Sequence, residues 1–448
     1  MGLSPAAAAP HVVVILADDM GWADLGADGS GIDTPHLDRL AQEGVKLTRF
    51  YASAPMCSPT RAALLTGRYP HSVGMPELAS KVARPPVPLL ALAHAAVTIP
   101  EALRPAGYRS IAVGKWHLGF TPRDFPSHHG FDEFWGSLLG TPGFWQPRDT
   151  FHNDRPVEVA PGVHYTDALS DRAAGYVQAH PAGGPPLFLY LAYNAPHYPL
   201  EAPAALVNKY RRKFPDRGFF AVYAAMVEQM DAGIGRVLQA LEERRMARDT
   251  LVVFTSDNGP SAEPVAYGPE GADYSNGPLQ GYKFSTHEGG IRVPFLARWP
   301  GRIPAGTRHD APAITMDLLP TVLAAAGVTP AAGHEIDGAS ILPLLTRGEP
   351  PRRAQPALYW ENQHNAAVLA GEWKLVHPFY GTPRLYRVAD DIGEANDLAA
   401  RHPEKVAELL ALHAAWKERH YPNPVARQLK KSSYIFPDPP RGRAPASK

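Results

Sequence analysis

The sequence predicts an α/β protein: a large, mainly parallel sheet sandwiched by helices, with a smaller C-terminal α+β domain on a short antiparallel sheet. Three observations predict this class. Over the first two-thirds of the chain, short apolar runs alternate with helical patterns, as in strands joined by helices. Runs such as His11–Ala17 are continuously apolar rather than alternating, as strands covered on both faces should be. Beyond about residue 350 the pattern changes to short strand-like segments followed by one helix.

The strand candidates of the first part are His11–Ala17, Arg109–Val113, Leu187–Tyr193, Leu251–Ser256 and Pro294–Trp299, rich in β-branched and aromatic residues. Thr34-Pro35 opens a helix that Gly44 closes, and Thr315 opens another that ends before Gly327. A long helical period runs from Phe219 to Arg245, with a basic last turn that suits the helix dipole. Arg347–Pro356, rich in Pro and Arg, reads as a linker. Past it, Ala357–Glu361, Ala366–Ala370, Lys374–His377 and Arg384–Val388 read as short antiparallel strands, and Pro403–Arg419 as a helix. The expected organisation is therefore a catalytic domain over 1–350, a subdomain over 351–430 and a polar basic tail over 431–448.

The bulk composition narrows the function. At 448 residues the chain can bury one large core and a smaller companion. Its 45% hydrophobic and 20% charged residues are ordinary for a globular protein. Lys plus Arg and Asp plus Glu both number 44, which argues against nucleic acid as a partner. No apolar run approaches the ~20 residues of a membrane span. Met1–Pro10 lacks the basic and apolar regions of a signal peptide. Two compartments stay open: periplasmic or secreted after removal of a signal, and cytoplasmic. Cys57 is the single cysteine, so no intramolecular disulfide forms.

In an open parallel sheet, ligands bind outside the carboxyl ends of the strands. Asp18 and Asp19 follow the first strand; Lys115, Trp116 and His117 follow the second. Asn194 and His197 follow the third, and Asp257 and Asn258 the fourth. One polar loop after a strand means little, but four carrying carboxylates, Lys and His point to one site. An Asp-Asp or Asp-Asn pair alone is more often a turn or a cap. Together, Asp18, Asp19, Asp257 and Asn258 offer only oxygen, which suits a hard divalent cation, Ca²⁺ or Mg²⁺, rather than zinc.

Cys57 opens the run Cys57-Ser58-Pro59-Thr60-Arg61, continuing to Gly67-Arg68. Ser58 suits an N-cap, Pro59 a first helical residue and Gly67 a stop, which places Cys57 just before a helix N-terminus. There the dipole favours a nucleophile or a bound anion, and Arg61 lies about one turn away. The bland reading of a lone cysteine is a small buried hydrophobe, which needs none of this.

Cys-x-Pro-x-Arg followed by Ala-Ala-Leu-Leu-Thr-Gly-Arg resembles the hallmark of the type I sulfatases, in the alkaline phosphatase superfamily. Gly114-Lys115-Trp116-His117-Leu118-Gly119 is similar to the second hallmark. Asp18-Asp19, Asn194-Ala195-Pro196-His197, Ser256-Asp257-Asn258-Gly259 and Lys283 ahead of Glu288-Gly289-Gly290 match in order, as do Trp373-Lys374-Leu375 and Leu385-Tyr386. The resemblance covers roughly residues 10–420 and implies an alkaline-phosphatase-like fold. It implies that a formylglycine-generating enzyme converts Cys57 to Cα-formylglycine, held at a Ca²⁺ (or Mg²⁺) ion with Asp18, Asp19, Asp257 and Asn258. The aldehyde would hydrate to a gem-diol; one hydroxyl would attack sulfur and displace the alcohol, and the second would then expel sulfate and restore the aldehyde. It further implies that Lys115, Lys283 and Arg61 offset charge, Arg61 by orienting the diol and ligands. His117 would handle the formylglycine hydroxyl, and His197 would protonate the leaving alcohol beside Lys283. Asp257 would also serve as base to the diol.

The implied substrates are small-molecule or saccharide sulfate esters. Rivals are a phosphonate or phosphate ester hydrolase of the same fold and an inactive sulfate-ester-binding homologue with Cys57 unmodified. Gly136–Pro147, with Trp135, Phe144 and Trp145, is expected to line the entrance, where aromatics suit a sugar or an aryl ring alike. Ser137 and Thr141 in this stretch receive no substrate role.

Overall fold

The computed structural model describes residues 9–81, 89–261, 276–379 and 381–421; the tail at 431–448 lies outside them. In β1 (His11–Ala17), every residue from Val12 onward is buried, because both faces of the strand are covered. Along the chain follow β2 (Val45–Leu47), β3 (Phe50–Tyr51), β4 (Arg109–Lys115), β5 (Glu133–Ser137), β6 (Thr150–His152) and β7 (Arg155–Pro156). Then come β8 (Leu187–Ala192), β9 (Thr250–Ser256), β10 (Phe295–Arg298), β11 (Thr307–His309) and β12 (Ala313–Ile314). Ten of these form one sheet in the order β11-β2-β10-β9-β1-β8-β4-β5-β6-β7.

The centre of that sheet, β9-β1-β8-β4-β5, is parallel. Pro294–Trp299, expected among the parallel strands, instead yields β10, antiparallel to both β9 and β2. The reason is its entry. The chain leaves β9 at the carboxyl edge and re-enters the sheet from that same edge.

The two faces carry separate cores. Val12, Val14 and Leu16 pack with α2 (Cys57–Thr66), α3 (Ile99–Leu103) and the helix Leu318–Ala326. Val13, Ile15 and Ala17 pack under α1 (Pro35–Gln42), α4 (Tyr165–Gln178), α5 (Ala204–Lys213) and α6 (Gly218–Glu243). Thr315, expected to open its helix, instead begins a 3₁₀ turn that leads into Leu318. No described helix is long and apolar enough to cross a membrane.

A second sheet is antiparallel throughout: β13 (Leu358–Glu361), β14 (Asn365–Ala370), β15 (Trp373–Pro378) and β16 (Arg384–Arg387). The helix Pro403–His420 covers it, and Tyr51, Ala63, Tyr69 and Ile291 from the first part enter the same core. The segment read as a linker is tied down, because Arg353 donates to both oxygens of Asp317 at 2.8 and 2.6 Å.

A buried ionic network ties the second sheet to β3 and to the segment before β10. Lys374 on β15 contacts Glu288 at 2.8 Å and Glu394 at 3.0 Å. The second oxygen of Glu288 accepts from Tyr51 at 3.0 Å and Arg292 at 3.1 Å. The Glu288 backbone N–H donates to Glu394 at 2.7 Å. Removing one member of such a pair strands a charge in low dielectric, which typically costs ~3–5 kcal/mol. Lys374→Met leaves two carboxylates facing each other, so urea unfolding should show a loss of about that size. An unchanged midpoint would refute the network's role in holding the second sheet against β3 and the segment before β10.

Candidate active site

The site lies at the carboxyl edge of β1, β4, β8 and β9. The turns after neighbouring strands are pinned to one another: Asp18 N–H donates to Ala195 and Asp257 N–H to Ala17, each at 3.1 Å. Asp19, His117 and Phe284 adopt positive φ (68°, 57° and 72°), a conformation L side chains resist and functional sites often hold. Asp19 is kept there in part by its N–H, which donates to the Asp257 carboxylate at 3.2 Å. Gly114 at the end of β4 has no alternative, since a Cβ there would sit 1.9 Å from the Ala192 carbonyl oxygen.

Cys57 is the first residue of α2, not the residue before it as expected, and Met56 is the N-cap. Pro59 is tolerated in this first turn, where N–H groups have no intrahelical acceptor. Ser58 does not cap; its hydroxyl accepts from Ala79 N–H at 3.1 Å. Gly67 closes α2 in the left-handed conformation, as expected. Every residue of α2 is buried, so Cys57 is fixed by the packing of its whole helix.

The charges are arranged in alternation. Lys115 donates to Asp18 at 2.6 Å, and the Cys57 Sγ lies 3.5 Å from the other Asp18 oxygen. Arg61, fully buried, grips one Asp257 oxygen through Nε at 2.9 Å and Nη2 at 2.7 Å, and gives Nη1 to the Lys115 carbonyl at 3.2 Å. Asn258 donates to Asp19 at 2.6 Å, and Lys283 reaches the Asp19 carboxylate at 2.9 and 3.0 Å. Lys283 also donates to His197 Nε2 at 2.9 Å, which leaves Nδ1–H to donate to the Tyr198 carbonyl.

Burial alone would raise all three aspartates. For Asp18, Lys115, His197 and Arg61 outweigh it and hold the carboxyl below its ordinary value. His197 and Lys283 do the same for Asp19. Asp257 moves the other way: burial and the Asp18 charge raise it against Arg61. Burial pushes the Cys57 thiol up to about 12, so the unmodified residue is a protonated thiol rather than a thiolate. Burial, Lys115 and Arg61 keep His117 neutral.

Lys283 arrives on a loop whose backbone is packed too tightly for side chains. Its N–H donates to Pro260 at 3.0 Å, and Phe284 N–H donates to Pro55 at 2.7 Å. A Cβ on Gly289 or Gly290 would meet carbonyl oxygens at 2.2 or 2.0 Å, which explains the Glu-Gly-Gly run. Glu288 of that run is the residue held by Lys374 of the second sheet.

Asp18, Asp19, Cys57 and His197 each bring a ligand atom within 4.8 Å of the others. His197 thus joins a donor group for which the sequence suggested Asp18, Asp19, Cys57, Asp257 and Asn258; its place after β8 was the available signal. Asp257 stands beside the group, engaged by Arg61 and Asp19. Two observations fit a hard cation. Three buried carboxylates share one site, and the buried Asn258 Oδ1 has no hydrogen-bond partner. His117 bonds to the Ala79 carbonyl at 3.2 Å, while its buried Nδ1 is unpartnered.

The segment expected to line the entrance passes close to the site, with Gly140 against the His117 ring and Phe144 N–H held by Glu201 at 3.0 Å. Trp135 and Phe144, read as entrance aromatics, are core residues at 5% and 2% exposure; they pack against Tyr165 and His164. Trp145 and Tyr198, 38% and 50% exposed, are the aromatics of this region that face solvent.

The Sulfatase family model matches residues 10–328, and that for N-sulphoglucosamine sulphohydrolase, C-terminal, matches residues 282–414. The chain is 35% identical over 393 residues to N-acetylgalactosamine-6-sulfatase of Sus scrofa, covering 84% of this chain and 73% of the relative. It is 33% identical over 471 residues to the steryl-sulfatase of Mus musculus, covering 85% and 72%. A solved structure of Ps i-CgsB in complex with k-i-k-neocarrahexaose has a TM-score of 0.81 at 33% identity, covering 91% of this chain and 92% of that one. The phosphonate monoester hydrolase of Agrobacterium radiobacter shares the fold, with a TM-score of 0.62 at 22% identity.

If the acidic cluster holds a cation, Ca²⁺ or Mg²⁺ should raise the melting temperature of the chelator-treated protein. Saturation at about 100 times Kd corresponds to ~2.7 kcal/mol. Asp18→Ala and Asp257→Ala should lose that shift. A shift produced by zinc alone would contradict Asp18, Asp19, Asp257 and Asn258 as the ligands and favour Cys57 and His197 as donors.

Proposed function

The chain belongs to the sulfatase family and is a sulfuric ester hydrolase, and on that premise we propose that it cleaves saccharide sulfate esters through Cys57 converted to Cα-formylglycine. The observation that carries this reading is the place of Cys57. It sits at the start of a buried helix, within reach of Asp18, Asp19 and His197, and its thiol is protonated as it stands. The modification would supply a hydrated aldehyde as nucleophile, which a serine or an unmodified thiol cannot match for release of sulfate. Asp18, Asp19, Asp257 and Asn258 would hold a Ca²⁺ or Mg²⁺ ion, which polarises sulfate oxygens when bound.

The chain's own residues divide the remaining work. Lys115 and Lys283 face the carboxylates and offset the negative charge that the sulfate group adds. Arg61 is fully buried and committed to Asp257 and the Lys115 carbonyl, so it orients ligands rather than touching substrate. His117 has one free ring nitrogen for the hydroxyl of residue 57. His197 presents Nε2 toward the site, where it accepts from Lys283 at 2.9 Å; a proton passed from Lys283 to Nε2 would go on to the departing alcohol. The saccharide reading is supported by the solved relative that holds a neocarrahexaose and by the hexosamine named for the relatives at 35% identity.

Active protein should carry an aldehyde at residue 57 by intact peptide mass, and Cys57→Ala should fold normally without turnover. Full activity with unmodified Cys57 would end this reading, and a preference for steroid over sugar sulfates would end its saccharide part. The role of His197 has its own test. A nitrophenolate leaves without a proton and a sugar alkoxide does not, so His197→Ala should slow sugar sulfates ~10²–10⁴-fold and nitrophenyl sulfate far less. Equal losses on both would assign His197 to positioning the sulfate group.

A further inference from the structure

At the edge of the sheet opposite the site lies a cavity of about 690 Å³, a size typical of ligand sites. β1 links the two ends: His11 lines the cavity, and Asp18 follows the last of the strand's 7 residues. At ~3.3 Å per residue the two ends stand roughly 23 Å apart.

Four arginines open onto the cavity. Arg244 and Arg245 follow α6, Arg248 lies in the turn before β9, and Arg302 follows β10. All four are exposed, and among the described residues none is paired with a carboxylate. Asp249 is the single acid among the lining residues. The chain as a whole is neutral, so this concentration of unpaired cations is local. Arg244 is braced by the His180 carbonyl at 2.6 Å, and Arg302 lies over the Trp299 ring at 5.8 Å. His180, 4% exposed, makes no hydrogen bond of good geometry through its ring, only a loose approach to the Pro185 carbonyl.

Like charges left unpaired around one hollow repel one another unless an anion joins them. Guanidinium groups bind sulfate oxygens through paired N–H donors, and one small anion occupies one or two of them. Four spread around a hollow of this size match several sulfates carried on one scaffold. We propose that this cavity is a second binding site, separate from the catalytic centre, for a segment of sulfated polysaccharide; the inference rests on the saccharide reading of the function. It would keep the enzyme on a polymer while the catalytic edge works elsewhere.

Binding to heparin, to desulfated heparin, to inorganic sulfate and to duplex DNA tests this directly, with nitrophenyl sulfate turnover followed in parallel. The variant R244Q/R245Q/R248Q/R302Q should bind heparin at least about tenfold more weakly than wild type and turn over nitrophenyl sulfate unchanged. Desulfated heparin should not bind. If the fourfold variant does not fold, R248Q/R302Q should show the same direction, because neither guanidinium hydrogen-bonds to the described fold. Equal heparin affinity of wild type and variants overturns the proposal. So does inorganic sulfate or duplex DNA binding through these arginines as tightly as heparin. Wild type without nitrophenyl sulfate turnover would instead count against the catalytic reading, which keeps the two failures distinct.

Discussion

Three aspartate carboxylates buried within one site are the constraint on which the rest of the structure depends. In a low dielectric, like charges at such distances are tolerated only when cations are fixed between them. Lys115 on β4, Arg61 on α2 and Lys283 on the loop before β10 supply them, each from a different part of the fold. The sheet therefore has to bring four strand ends, one helix and one loop into register. A shift in any of them would leave a charge buried without its partner.

That requirement explains features which otherwise look unrelated. Asp19 and His117 hold left-handed backbone, which persists only where the surrounding structure over-determines it. Gly289 and Gly290 let the Lys283 loop pass backbone against backbone. The second sheet also reaches this loop, through Lys374 and Glu288, so a group outside the main sheet steadies a residue at its carboxyl edge. Buried ion pairs add little net stability compared with apolar packing, so their value here is positional.

The two edges of the main sheet differ in electrostatic design. At the carboxyl edge acids and bases are interleaved and buried, each held by a named partner. At the opposite edge four arginines stand exposed around a hollow, with their charge left for a partner. The first arrangement suits chemistry on one group, and the second suits retention of an extended polyanion.

By itself the sequence determined the class of fold, most element bounds and which strand ends meet at the carboxyl edge. Val12–Ala17 reads as a strand covered on both faces, and residues just past the carboxyl end of a parallel strand lie at the binding edge. Asp18, Asp19, Lys115, His197 and Asp257 were legible for that reason, because their positions come from local pattern and topology. Other features depend on pairings between residues far apart in the chain, to which local pattern is blind. The antiparallel entry of β10, the start of α2 at Cys57, the burial of Trp135 and Phe144, and the place of His197 beside Asp19 and Lys283 are of this kind. So is the meeting of the arginines at the opposite edge: Arg244, Arg245 and Arg248 share the connection from α6 to β9, and only the assembled sheet brings Arg302, after β10, to the same cavity.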